Sequence, residues 1–221
     1  RKGAHQRILE AFQRHEYDIL LGTQMVAKGL DFPNVTLVGV LAADIALNIP
    51  DYRSSEKTFQ LVTQVAGRTG RGNKPGRVII QAYQPEHYAL QYAARHDYIG
   101  FFNHEMQIRR QFYYPPFSHL IRILIMGEDK NKLIHISKNM VEWLKKRIAD
   151  DKILNKGLLD LGTYSAPIER IKNKYRWQVL IRIHTDEIYQ SSYHCLFKDF
   201  INRFFDDDYN LILDFNPLTL I

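Results

Sequence analysis

Apolar positions at Ala4, Ile8, Leu9 and Phe12 recur at helical spacing and predict an amphipathic helix over residues 3–15. The run Asp18-Ile19-Leu20-Leu21-Gly22 reads as a short buried strand. Residues 35–41 are nearly all apolar, the composition of a strand inside a parallel sheet. Ser54 or Ser55 suits the cap of a helix whose apolar face is Phe59, Leu61, Val62 and Val65. That helix runs into a loop rich in glycine and arginine at 67–72. A Pro75-Gly76 turn, a strand over 77–83 and a helix over 86–95 follow. The order α-β-β-α-β-α predicts an α/β domain with a parallel sheet.

A helix over 98–111 carries Phe101, Phe102, Met106 and Ile108. Phe112-Tyr113-Tyr114-Pro115-Pro116-Phe117 breaks its pattern, because two prolines end a helix and stiffen the path. A domain boundary belongs here, with the neighbouring aromatic residues packed between domains. The remainder predicts strand 120–126, helix 130–148, strands 158–164 and 177–184, helix 187–205 and strand 211–215. This β-α-β-β-α-β order is the ferredoxin-like split pattern of an α+β domain.

Composition narrows the class. Of 221 residues, 45% are hydrophobic and 24% charged, which is ordinary for a globular chain and excludes a disordered tail or a coiled coil. Apolar runs fall short of the ~20 residues a membrane span needs, so no membrane partner is expected. The net charge of +6 is compatible with nucleic acid without requiring it. Cys195 is the only cysteine, which rules out an internal disulfide and a multi-cysteine zinc site in this chain and fits a reducing, cytoplasmic compartment. The chain opens on Arg1 and goes straight into a helical pattern, as expected for part of a longer protein.

The most specific string is Gln64-Val65-Ala66-Gly67-Arg68-Thr69-Gly70-Arg71. Its two arginines lie three apart, and a glycine before each keeps side chains away from a ligand. Guanidinium is always ionised and matches the oxygens of a phosphate in transfer, so Arg68 and Arg71 are candidate arginine fingers. Gln64 lies one helical turn earlier on the same side. A basic surface turn without a ligand is the plainer reading of this string alone.

A second string, running from Gly22-Thr23-Gln24 through Lys28-Gly29-Leu30-Asp31-Phe32-Pro33, follows the first predicted strand. Ligands gather at the carboxyl ends of strands in open parallel sheets. Thr23 and Gln24 suit a phosphate of a nucleic-acid strand, Gly29 permits close backbone approach, and Asp31 suits a ribose hydroxyl. Thr23 as a helix cap and Asp31 as a turn residue are the plainer alternatives.

Together, in order and spacing, the two strings resemble motifs V and VI of superfamily 2 helicases. The wording G-T-Q-M with K-G-x-D-F-P, the Arg53-Ser54-Ser55-Glu56 string, the Pro115-Pro116 step and Tyr175-Arg176-Trp177-Gln178 are similar to the primosomal, replication-restart branch of that superfamily. The resemblance covers nearly the whole chain, is strongest over 18–84 and thins from 129 onward. It implies that residues 1–96 are the later part of a second RecA-like lobe, 97–116 a helical connector, and 117–221 the family's C-terminal domain. It implies an ATP-dependent 3′→5′ DNA helicase that restarts stalled forks. Arg68 and Arg71 would reach ATP, Gly29, Asp31 and Gln64 would lie beside the nucleotide, and Thr23, Gln24 and Lys28 would lie nearer DNA. The helix over 55–66 would transmit closure.

The same resemblance implies ATP with Mg²⁺ bound mainly by a first lobe, and Zn²⁺ held only upstream. No G-x-x-x-x-G-K-[ST] string occurs, so this stretch by itself is not expected to hydrolyse ATP. Implied partners are branched or single-stranded DNA, the single-stranded DNA-binding protein and other primosome proteins, at a cytoplasmic, nucleoid-associated location. A non-catalytic DNA- and protein-binding module, or another superfamily 2 translocase, remain alternative readings.

Arg170, Lys172, Lys174, Arg176 and Arg182 lie within thirteen residues free of acids, interleaved with Tyr175 and Trp177. Cations on phosphate with aromatic faces under bases make a single-strand binding surface, so Lys174 and Arg176 are candidate DNA contacts. In a strand, however, the aromatic pair and the basic pair fall on opposite faces, which leaves Trp177 in the core as the alternative. Asp186-Glu187 resembles a magnesium pair but sits on the wrong side of the arginine motif, where a helix start accounts for it.

Overall fold

The computed structural model describes residues 4–23, 34–67 and 75–220. It divides into two compact units, Arg1–Asn48 with Ser54–Phe101, and Ile49–Arg53 with Phe102–Ile221.

The first unit opens with helix α1 (Ala4–Gln13). Strands β1 (Leu37–Val40) and β2 (Arg77–Ile80) pair in parallel, with Leu37 opposite Arg77 and Val40 opposite Ile80. A 3₁₀ turn (Ile45–Asn48) and helix α2 (Ser54–Ala66) lie between them in sequence, and helix α3 (Tyr88–Ala94) follows. Phe59 and Val62 of α2 close on Ala89, Leu90 and Ala93 of α3 and on Phe101. The Phe59 and Phe101 rings stack 4.2 Å apart. Asp44 is buried and ties the chain after β2, its Oδ2 accepting from the backbone N–H groups of Tyr83 at 2.7 Å and Gln84 at 2.8 Å.

Two expectations change here. Residues 18–22 form no strand, and Ile19 and Leu21 are each 85% exposed, because no described segment offers them a ladder. The strand expected inside a parallel sheet over 35–41 is the shorter β1, half-open with Leu37 exposed, since β1 and β2 stand as a two-stranded sheet among the described residues.

Helix α4 (Tyr98–Gln111) leads into the second unit. Its later turns hold a buried ion pair, Arg109 Nε to Glu105 Oε1 at 2.7 Å. After the cis Pro115–Pro116 peptide come β3 (His119–Gly127), α5 (Lys130–Ala149), a short α6 (Lys152–Gly157), β4 (Leu158–Ile171), β5 (Lys174–Ile183), α7 (Glu187–Phe204) and β6 (Asn210–Phe215). The four strands form one antiparallel sheet in the order β4-β5-β3-β6. With two major helices crossing between strands, this is the ferredoxin-like arrangement that the element order predicted.

Alternation along the strands sets the core. Ile121, Ile123 and Ile125 of β3 and Val179, Ile181 and Ile183 of β5 face Leu133, Met140 and Leu144 of α5 and Phe197 and Phe200 of α7. Asp129 caps α5 by accepting from the N–H groups of Asn131 and Lys132 at 2.8 and 3.1 Å. β4 and β5 join through Lys172 and Asn173, both at positive φ (48° and 67°). Two left-handed residues make the tight turn whose twist suits a hairpin.

The strap Ile49–Arg53 belongs to this second unit although it precedes α2 in the chain. Asp51 accepts from Thr219 Oγ1 at 2.8 Å, and Tyr52 stacks on Tyr114 at 5.4 Å beside Leu120, Leu180 and Leu220. Arg109 and Arg182 lie over the Tyr52 and Tyr114 rings respectively.

Candidate nucleic-acid interface

The arginine motif begins where α2 ends. The apolar side of α2 is anchored by Phe59 and Val62, and the Gly67 N–H continues the helical bonding to Thr63 at 3.1 Å. Gln64, in the last turn, is exposed. Arg68 and Arg71 lie outside the described residues, as do Gln24, Lys28, Gly29 and Asp31. Thr23 is exposed, and the residues that a helix capped by it would occupy lie outside the described ones. Among the described residues, no hydrogen bond joins Thr23 to Gln64.

The basic stretch of the second unit is described in full and separates into two parts. Arg170, Lys172 and Lys174 stand exposed around the β4–β5 hairpin tip. Arg170 bonds Asn173 Oδ1 at 2.9 Å and lies over the Tyr175 ring. Arg176 is instead 7% exposed, and its Nη1 donates to the Ile168 carbonyl at 3.3 Å. Burial, and secondarily the charge of Arg122, lowers its pKa. Arg182 pairs with Asp160 at 2.8 Å.

The pleat accounts for the division of roles. Tyr175 and Trp177 pack against the helix-covered core, and Trp177 Nε1 donates to Thr163 Oγ1 at 2.8 Å. Their rings are therefore engaged inward, and the core reading of Trp177 holds. Arg176, Gln178 and Arg182 fall on the opposite face, with Arg122 from β3 and Asp214 from β6.

Arg122, a single arginine inside the apolar run 120–126, is buried and pairs with Asp214. Asp186 stands at the start of α7 without a side-chain cap bond, and Glu187 opens the first turn. No group of three or more His, Cys, Asp or Glu arranged to hold a metal occurs among the described residues. None of their helices is long and apolar enough to cross a membrane.

Residues 1–73 match the family described as Helicase conserved C-terminal domain, and residues 110–217 match the Primosomal protein N C-terminal domain. The chain is thus a helicase lobe followed by a primosomal domain. It is 52% identical over 183 residues to the Replication restart protein PriA of Bacillus subtilis (strain 168), covering 82% of this chain and 22% of that protein. It is 46% identical over 184 residues to the PriA of Synechocystis, covering 82% and 21%, and 40% identical over 175 residues to that of Rickettsia felis, covering 79% and 26%. The chain belongs to the PriA family of replication restart proteins. It spans about a fifth of the length of the first two of these relatives.

Proposed function

We propose that the chain is the C-terminal part of an ATP-dependent 3′→5′ DNA helicase that rebuilds stalled replication forks. The observation that carries this is a helicase domain and a primosomal domain in one chain, both continuous with relatives named for replication restart. Arg68 and Arg71 act as arginine fingers toward ATP, with Gly29, Asp31 and Gln64 beside the nucleotide. Thr23, Gln24 and Lys28 face the DNA strand. Fingers of this kind contribute roughly 10³–10⁵ in rate, ~4–7 kcal/mol of barrier. Magnesium and the triphosphate are held mainly by a first lobe, branched or single-stranded DNA is the substrate, and other primosome proteins are the partners.

The test is made in the full-length protein. Arg71→Ala is expected to abolish DNA-stimulated ATP hydrolysis while DNA affinity stays within about twofold. Unchanged turnover overturns the finger assignment.

The exposed hairpin tip supports a second role, DNA contact by the primosomal domain through Arg170, Lys172 and Lys174. Lys174→Ala is expected to weaken binding evenly across DNA sequences and to lower the slope of log affinity against log salt by about one. A salt slope identical to the wild type speaks against it.

A further inference from the structure

The two edges of the second unit's sheet differ in how they are protected. An open edge strand offers a row of unpaired N–H and C=O groups, and folded chains blunt such edges with bulges, proline or charge. β4 is blunted in this way, since its register shifts between Ser165 and Arg170 and Pro167 lies within the shift. β6 pairs with β3 without a shift and holds no proline, lysine or arginine from Asn210 to Phe215. The Asn216 N–H donates to the Leu120 carbonyl at 2.7 Å, and main-chain groups along an antiparallel strand alternate between its two sides. The continuous register therefore turns the N–H and C=O groups of Leu211, Leu213 and Phe215 to the open edge. Among the described residues, no hydrogen bond closes that edge.

Side chains around this edge add selectivity. A pocket at the start of β6 is lined by Met126, Phe205, Tyr209 and Ile212 together with Asp206 and Asp207. Phe205 is 72% and Ile212 44% exposed, so much of this apolar surface lies in water. Asp208 pairs with Lys132 and Asp214 with Arg122. Asp206 and Asp207 are exposed and form no ion pair among the described residues. A second copy of the chain is a poor occupant, because residues 204–221 carry four aspartates and no lysine or arginine, and like charges across a strand pair repel. A nucleic-acid backbone meets the same repulsion. Charge complementarity selects an extended peptide that carries lysine or arginine beside an apolar side chain.

We propose that the β6 edge of the primosomal domain takes up a basic, extended segment of a partner protein as a fifth strand of this four-stranded sheet. Leu211, Leu213 and Phe215 supply the main-chain ladder, the pocket receives one apolar side chain, and Asp206 and Asp207 receive the cations. The proposal deepens the reading that protein partners assemble on this domain, and rests on that reading only for the origin of the segment.

The probe is a labelled synthetic peptide of about ten residues, enough for one strand, that alternates valine and lysine around one phenylalanine. One control peptide carries glutamate for lysine, and another has N-methylated backbone amides that cannot form a ladder. Fluorescence anisotropy reads binding to the chain, and hydrogen exchange reads the edge amides. Saturable binding of the lysine peptide is expected, with slowed exchange at Leu211, Leu213 and Phe215 and no binding of either control. Ile212→Lys is expected to abolish binding and Asp207→Lys to weaken it several-fold. Asp207 is exposed, so its variant decides the matter if Ile212→Lys fails to fold. Absence of saturable binding overturns the proposal, as does equally tight binding of either control, or exchange at the three amides that the peptide leaves unchanged. Such a failure leaves the helicase reading intact, since Arg71→Ala tests that reading separately.

Discussion

Tyr193 shows how one buried group links packing to pH. Its ring is fully enclosed between α7 and the sheet, and its hydroxyl donates to the Leu154 carbonyl at 3.0 Å. Burial pushes the phenol well above its ordinary value, with Asp151 adding to the shift. A raised acid pKa means that the folded state keeps a proton which the unfolded chain gives up near pH 10. The stability this contributes is present below that point and is lost as pH rises above it. Urea unfolding is expected to show stability falling above about pH 10. Tyr193→Phe should flatten that fall while costing about 1 kcal/mol at neutral pH for the lost hydrogen bond. An unchanged alkaline slope in Tyr193→Phe would assign the fall to another group. The same scale separates two arginines of the β4–β5 hairpin, where Arg176 on β5 is enclosed but Arg170 on β4 is in water, although the sequence presents both as members of one basic run.

At the scale of the element, local rules account for most boundaries. Asp129 starts α5 because its carboxylate satisfies two N–H groups of the first turn. Asp129→Ala is expected to cost about 1 kcal/mol in chemical denaturation, and Asp129→Asn only a few tenths. Alternation also held where it mattered, since Tyr175 and Trp177 turn inward and Arg176 turns the other way. It failed for residues 18–22, where an apolar run met no partner strand among the described residues. A strand is a pairing relation, so composition alone does not make one. The extension of β4 to Ile171 was also hidden, because its polar second half is held by pairing with β5 across a bulge.

For the whole molecule, the informative feature is the strap Ile49–Arg53. Its sequence neighbours belong to the first unit, yet its own contacts belong to the second. Tyr52 meets Tyr114, Leu120, Leu180 and Leu220, and Asp51 meets Thr219. Tyr52→Ala is expected to destabilise the second unit by about 2–3 kcal/mol through lost packing and stacking. Tyr52→Phe should recover most of it, since the hydroxyl contact to Pro217 is a long 3.4 Å. Hydrogen exchange of β3 and β5 amides reads the effect directly, and protection unchanged in Tyr52→Ala would show that the strap contributes nothing to that sheet.

The amino-acid order alone determined the helical faces, the alternation of the ferredoxin-like strands and the two helicase-like strings, because each depends on residues within a turn or a loop of one another. Tertiary structure decided which cations lose their water. Arg122 and Arg176 are both enclosed on the same face of the sheet because β3 and β5 pair although they are distant in the chain. Asp214 arrives from β6 as the carboxylate partner of Arg122, since desolvation and charge balance depend on what is near in space.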